Sequence, residues 1–300
     1  MQKFVFLKKN EYLCKNCIQM SNKIIIEGEP QEVTEIREKI LTEFADLQFD
    51  EGPHVYTLNG VELPSVSHVT HQFANEFDAE LQATLYAEKH GETKEYWLDQ
   101  WKYKNLMATT TGTLVHSFGE SYGWMTNGHP ELITPENRCK YIPEKNWLIP
   151  TRKKEEAVIN FYKDLDPNLH FVLAETKVYT GKNKELTNLK QDYAGTFDIL
   201  FYYKDPHNAA SSGLIIWDFK TNKELQKEYS RINNRVLKPP FVDLYDEPLS
   251  LYTLQLSAYQ LPLEDIGLKV IARRVIWLKD DGTYEIYRLR DVTKVLRETL

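Results

Sequence analysis

The sequence predicts an α/β fold in which a mixed central sheet is flanked by helices, with core elements in the order αβββαβ. Three observations carry that expectation. Residues 193–201 and 214–221 are β-branched and aromatic runs separated by a turn-prone stretch, 204–213, rich in Asp, Pro, Asn, Ser and Gly, as in two neighbouring strands joined by a loop. A further strand-like run at 172–180 precedes them, and a helix at 152–163 precedes that. After them, an amphipathic helix at 251–261 leads into another strand at 270–279. That last strand follows a crossover helix, so it can join the sheet parallel to a neighbour.

The remaining elements follow in chain order. A strand is expected at 23–27 and a helix at 31–45, with Ile36, Ile40, Leu41 and Phe44 as its apolar stripe. Residues 1–50 read as an appendage of no assigned role, and residues 51–300 as the domain that carries the chemistry. The pattern Val55-Tyr56-Thr57-Leu58, Asn59-Gly60, Val61-Glu62-Leu63 is a hairpin signal. Ser65-Val66-Ser67 leads into helical sequence through about Met107, and a separate helix is expected over 109–124. Residues 126–150 hold Pro, Asn and Gly and read as irregular. Near the end, strands at 270–279 and 284–289 are joined by Asp280-Asp281-Gly282, and Asp291 caps a final helix.

Composition narrows the class. Apolar residues make up 42% and charged residues 27% of the chain, ordinary for a soluble globular protein. No run approaches the roughly 18 apolar residues of a membrane span. The apolar core of the N-terminus is too short for a secretory signal, so a cytoplasmic location is expected. Cys14, Cys17 and Cys139 are too few for a disulfide scaffold, and the single Cys14-Lys15-Asn16-Cys17 pair lacks a second CxxC to complete a metal site. The net charge of −7 argues against a generally basic nucleic-acid binder but leaves room for a local basic path. Lys223, Lys227, Arg231 and Arg235 recur every four residues, a spacing that on a helix forms one basic face.

The chemistry concentrates at the two strands. Pairing them about position 208 sets Asp198 opposite Asp218, about 5 Å apart on one face. The strand period returns Lys220 to that face. Gathering two carboxylates and an ammonium there is poorly explained by stability, since desolvating each ion costs several kcal/mol. A hard cation such as Mg²⁺ or Mn²⁺ explains it.

These residues resemble the PD-(D/E)XK phosphodiesterase superfamily, and more closely its RecB-like branch, which includes phage exonucleases. The resemblance rests on Gly112-x-x-x-His116 on a helix, Glu175, Gly195-Thr196-Phe197-Asp198, Asp218-Phe219-Lys220 and Gln255-x-x-x-Tyr259, in that order. It covers about residues 52–300. It implies a restriction-endonuclease-like core and one or two Mg²⁺ or Mn²⁺ ions held by His116, Asp198, Asp218 and the Phe219 carbonyl; Glu120, one turn beyond His116 on the same helix face, is expected as a metal-bridging acid or as a support behind the ligands. It further implies that Lys220 serves the attacking water, that Glu175 points into the site, and that Gln255 and Tyr259 contact the DNA backbone. None of the cysteines follows Lys220, so the resemblance implies no iron–sulfur cluster. The expected partner is DNA, bound at its ends or as single strands, and the expected activity is its hydrolysis from the ends, in recombination, repair or phage DNA metabolism. An endonuclease and a non-catalytic DNA-binding module are the rivals. A Ser-His-Asp hydrolase lacks its Gly-x-Ser-x-Gly elbow here, and a nucleotide-binding protein its Gly-rich loop.

Overall fold

The computed structural model describes residues 28–50, 52–127, 133, 151–183, 185 and 189–300. The strand expected at 23–27, most of the stretch expected to be irregular, and all three cysteines lie outside the described residues.

The chain forms a mixed α/β structure around one five-stranded sheet, β4-β5-β6-β7-β8. Its strands are β4 (Leu169–Tyr179), β5 (Ala194–Tyr203), β6 (Gly213–Lys220), β7 (Val270–Leu278) and β8 (Tyr284–Arg288). β4, β5 and β6 form an antiparallel meander, β7 joins β6 in parallel, and β8 pairs antiparallel to β7. The parallel pair follows from the crossover made by α7 (Pro248–Asp265), as the sequence pattern predicts. Pro248 in the first turn of α7 starts that helix earlier than its apolar periodicity suggests.

Two helical layers cover the sheet. On β6, strand alternation sends the rings of Trp217 and Phe219 toward Phe161 of α5 (Arg152–Lys163), at 5.3 and 5.6 Å between centroids. Asp218 and Lys220 go to the other face, where Lys220 meets Tyr252 of α7. α4 (Lys94–Thr126) crosses above the end of β6 in close approach: a Cβ on Gly119 would fall 2.6 Å from the Phe219 ring. The sequence suggests two helices meeting near residue 108, but α4 runs through unbroken. Thr109, Thr110 and Thr113 turn their hydroxyls back onto the carbonyls of Asn105, Leu106 and Thr109, so a threonine run that reads as a break stays helical.

Upstream lie α1 (Gln31–Glu43), the small sheet β1 (Gln48–Asp50), β2 (Val55–Leu58) and β3 (Val61–Leu63), and the helices α2 (Val66–His71) and α3 (Ala79–His90). Asn59 and Gly60 turn β2 into β3 with φ of 51° and 79°, as a two-residue hairpin turn requires. The division expected at residue 50 falls inside the β1–β2 hairpin. α1 is fastened to the main sheet: at a bulge in β4, the buried Arg37 donates to the carbonyls of Val172 (2.7 Å) and Phe171 (3.0 Å) while its charge meets Glu29. A bridge between Ser65 and Ala194, with the Ala194 N–H donating to Pro64, ties the small sheet to the start of β5.

Candidate metal centre

Asp198 sits where the β5–β6 ladder ends. Its last pairs, Leu200–Ile216 and Ile199–Trp217, carry the register expected from a pivot at 208, and Asp198 and Asp218 lie one step beyond. In that split the Asp198 carboxylate takes the strand N–H that a backbone carbonyl would otherwise occupy: Phe219 N–H donates to Oδ2 at 3.0 Å. The same Oδ2 lies 3.0 Å from His116 Nδ1, delivered by α4 one turn before Gly119.

Glu175 completes the cluster from β4. One ligand atom from each of His116, Glu175 and Asp198 lies within 4.8 Å of the other two. Glu175 is held at φ +46° inside a strand, a conformation costing a non-glycine residue about 1–2 kcal/mol. That backbone distortion interrupts the ladder between Ala174–Ile199 and Thr176–Phe197, opposite Asp198. The convergent trio thus includes Glu175, whereas the sequence-level expectation centred on Asp198 and Asp218.

Asp218 plays a different part. Its side chain is 4% exposed, its Oδ2 meets Lys220 Nζ at 2.7 Å, and its Oδ1 is buried without a hydrogen-bond partner. Phe219 contributes its N–H, and its ring packs into the core. Glu120 is buried and does not line the cleft; its charge acts on Tyr162 and Glu175.

The cluster forms one part of a cleft of about 810 Å³ lined also by Lys177, Thr196, Lys220, Gln255 and Tyr259. Gln255 and Tyr259 are neighbours on one face of α7, with Gln255 Nε2 3.4 Å from the Tyr259 hydroxyl. Tyr259 packs so closely on β5 that a Cβ at Gly195 would lie 2.7 Å from its ring, which explains a glycine at that point.

Lys220 has supports that the sequence reading missed. Its Nζ stands 4.3 Å from the centroid of the Tyr252 ring. The Tyr252 hydroxyl donates to Asn222 Oδ1 at 2.7 Å, and Trp277 Nε1 donates to the Asn222 carbonyl at 2.7 Å. Tyr252 lies three residues before Gln255, so helical spacing already places it on the face of α7 that carries Gln255 and Tyr259. Lys177, two residues beyond Glu175 on β4, was likewise legible from strand periodicity.

The basic face expected from Lys223, Lys227, Arg231 and Arg235 does not form. Only α6 (Glu228–Ile232) is helical there, too short to align four cations. Arg231 is paired with the buried Glu247 at 2.8 Å and Arg235 with Asp246 at 2.7 Å, so two of the four charges are neutralised within the fold. A four-residue spacing in an exposed segment forms one face only if the segment is helical throughout. Here the backbone instead folds back on itself, with Arg235 N–H bonding to Ser230 and Asp246 N–H to Arg235.

Burial and mutual repulsion set the protonation of the cluster. Glu175 is pushed up to about 8, first by burial and then by the Asp198 charge. Asp218 rises for the same two reasons, partly offset by Lys220. Burial works the same way on Asp198, but the adjacent His116 and Lys220 overcome it and hold that carboxyl well below its usual range. Burial disfavours a charged His116, yet Asp198 and Asp218 outweigh it and raise the imidazole to about 9. Lys220 is likewise kept firmly cationic by the two aspartates in spite of its burial. Three carboxylates meet two cations here, and that residual acid, together with the buried Asp218 Oδ1 that no donor reaches, suits a divalent cation. The oxygen-rich donors fit Mg²⁺ and Mn²⁺, and the single imidazole favours Mn²⁺ of the two.

No protein-family model matches the chain, and comparison with curated proteins yields no match. Among the described residues, no helix is long and apolar enough to cross a membrane.

Proposed function

We propose that the protein is a metal-dependent phosphodiesterase that hydrolyses DNA, acting from strand ends. The observation that carries this reading is that Asp198 and a charge-locked Lys220, from adjacent strands, line one cleft with His116 and Glu175, while the buried Asp218 pairs with Lys220. The order of a helix, a three-strand meander, a crossover helix and a parallel strand supports a restriction-endonuclease-like core.

His116, Glu175 and Asp198 would hold the ion, with Asp218 beside them. When bound, a divalent ion lowers the pKa of a water and offsets charge developing on a phosphate. The chain's own groups do the rest. Lys220, fixed between Asp218 and Tyr252, sets a permanent positive charge beside the reacting phosphate and stabilises the transition state. Gln255 Nε2 and the Tyr259 hydroxyl donate to the strand's phosphates, and Lys177 neutralises a neighbouring phosphate along the cleft. With Arg231 and Arg235 engaged in ion pairs, the electrostatic grip on DNA falls to the cleft lysines and to the exposed Lys223 and Lys227.

The test incubates purified protein with linear and covalently closed circular DNA in Mg²⁺, Mn²⁺ or EDTA, beside Asp218→Ala and Lys220→Ala. The expected result is loss of linear DNA only, dependent on the metal and abolished in both variants. Digestion of closed circles identifies an endonuclease instead. Degradation that persists in both variants, or DNA binding without turnover, overturns the assignment.

A further inference from the structure

The cleft has a second lining of a different chemistry. Phe49, His54 and Tyr56, from β1, the β1–β2 turn and β2, line the same space as the acid cluster. Phe49 and Tyr56 are stacked, with centroids 4.5 Å apart and planes at 30°. His54 stands edge-on to both, at 5.0 and 6.0 Å. Tyr56 is the anchor of this group: it is buried, and its hydroxyl shares a 2.9 Å hydrogen bond with Thr196 Oγ1, two residues from Asp198 on β5. Phe49 is half-buried and His54 is exposed. The hydrogen bond and the Ser65–Ala194 bridge fix the rings relative to the metal cluster.

Core packing alone accounts for Tyr56 but not for His54. That residue sits in a turn at φ 58°, in the left-handed region that histidine tolerates better than most residues, and it stays exposed beside the cleft. The residue is exposed, so burial of its side chain does not account for its place against the two other rings at the cleft.

We infer that Phe49 and His54, backed by Tyr56, form a shelf of two perpendicular rings for an unpaired nucleobase next to the scissile phosphate, the base stacking on one ring and meeting the other edge-on, so that the cleft takes a single-stranded DNA terminus. This inference rests on the nuclease reading of the site. Phosphate and base then divide between the two linings: Lys220 and Lys177 meet the backbone, and the ring corner meets a base, one ring at its face and the other at its edge. Aromatic stacking is tolerant of sequence because every base has a π-face, in keeping with a chain that carries no base-reading motif. A base inside a duplex has both faces covered and its edge held by its partner, so a frayed or single-stranded end fits the shelf better than paired DNA does.

The experiment measures binding of fluorescent single-stranded oligodeoxythymidylate in Ca²⁺, so that turnover does not interfere. It is repeated with strands carrying one abasic unit at successive terminal positions. Wild-type protein is expected to lose about ten-fold in affinity when the abasic unit occupies one particular position. His54→Asn, which suits the left-handed backbone but removes the ring, and Phe49→Leu are expected to bind intact and abasic strands alike, at the weakened level. Thermal melts of both variants establish that they are folded. The shelf is overturned, with the nuclease reading left standing, if wild type binds all strands equally or if both variants keep the positional loss. If wild type binds no strand and cleaves no DNA, the nuclease reading falls and the shelf with it.

Discussion

Asp198 and Asp218 leave adjacent strands one step past the last ladder pair, yet their surroundings drive their acidities apart. His116, the Phe219 N–H and Lys220 stabilise the Asp198 charge, whereas burial beside that charge favours a protonated Asp218. Two like carboxyls in one site cannot both ionise cheaply, and the protein resolves this by giving them different neighbours.

The first prediction concerns metal and pH. Glu175 rises from an ordinary 4.5 to about 8 and His116 from 6.5 to about 9, so both bind protons more tightly folded than unfolded. Their contribution to stability is complete below the unfolded values and is lost as pH rises through the folded ones. Asp198 is depressed, and its contribution is lost only in acid. The melting temperature in EDTA is therefore expected to fall between pH 6 and pH 9. Mn²⁺, which needs the deprotonated groups, should raise it more at pH 8.5 than at pH 6. Glu175→Gln should flatten the EDTA profile and lose most of the Mn²⁺ effect. Scanning fluorimetry across pH reads all of this, and a Mn²⁺ shift independent of pH would refute the ligand assignment.

Tyr252 holds Lys220 by its ring and Asn222 by its hydroxyl. Tyr252→Phe keeps the ring and should retain most activity. Tyr252→Leu should lower kcat roughly five-fold, with little change in KM, for a cation–π contact of about 1 kcal/mol. Steady-state kinetics on linear DNA distinguish this from a loss of folding, which would lower the active fraction of both variants.

Two glycines allow close packing at the site. Alanine at Gly195 would meet Tyr259 at 2.7 Å and Val66 at 2.8 Å, and alanine at Gly119 would meet the Phe219 ring at 2.6 Å. Each substitution should cost about 1–3 kcal/mol in urea unfolding through overpacking. Unchanged midpoints would mean that the helices sit farther from the sheet.

Arg231 and Arg235 should behave as structural residues. Arg231→Ala leaves the buried Glu247 carboxylate without its charged partner and is expected to lower the melting temperature, while the salt dependence of DNA binding stays the same. Lys177→Ala should do the reverse, reducing the salt slope by about one with stability intact. A slope that drops with Arg231→Ala would restore a basic path along 223–235.

Much of this is legible in the sequence. The β5–β6 register follows from two apolar runs and the centre of their loop, because strand pairing has a fixed period. The crossover helix and the parallel β7 follow from element order. The basic stripe failed for the converse reason: spacing defines a face only once the backbone conformation is known, and segment 222–238 is mostly non-helical. Glu175 could be placed on a strand, but its left-handed backbone, which aims it at Asp198 and His116, has no signature in residue type.

The sequence by itself determined which strands adjoin and that Asp198, Asp218 and Lys220 meet on neighbouring strands, since those depend on local periodicity and chain order. Tertiary structure alone decided how the charges are shared: that Asp198 rather than Asp218 joins His116 and Glu175, that Tyr252 braces Lys220, and that three rings from the small sheet face the same cleft. Those outcomes turn on ångström-scale approaches between elements distant in the chain, and on how deeply each group is withdrawn from water.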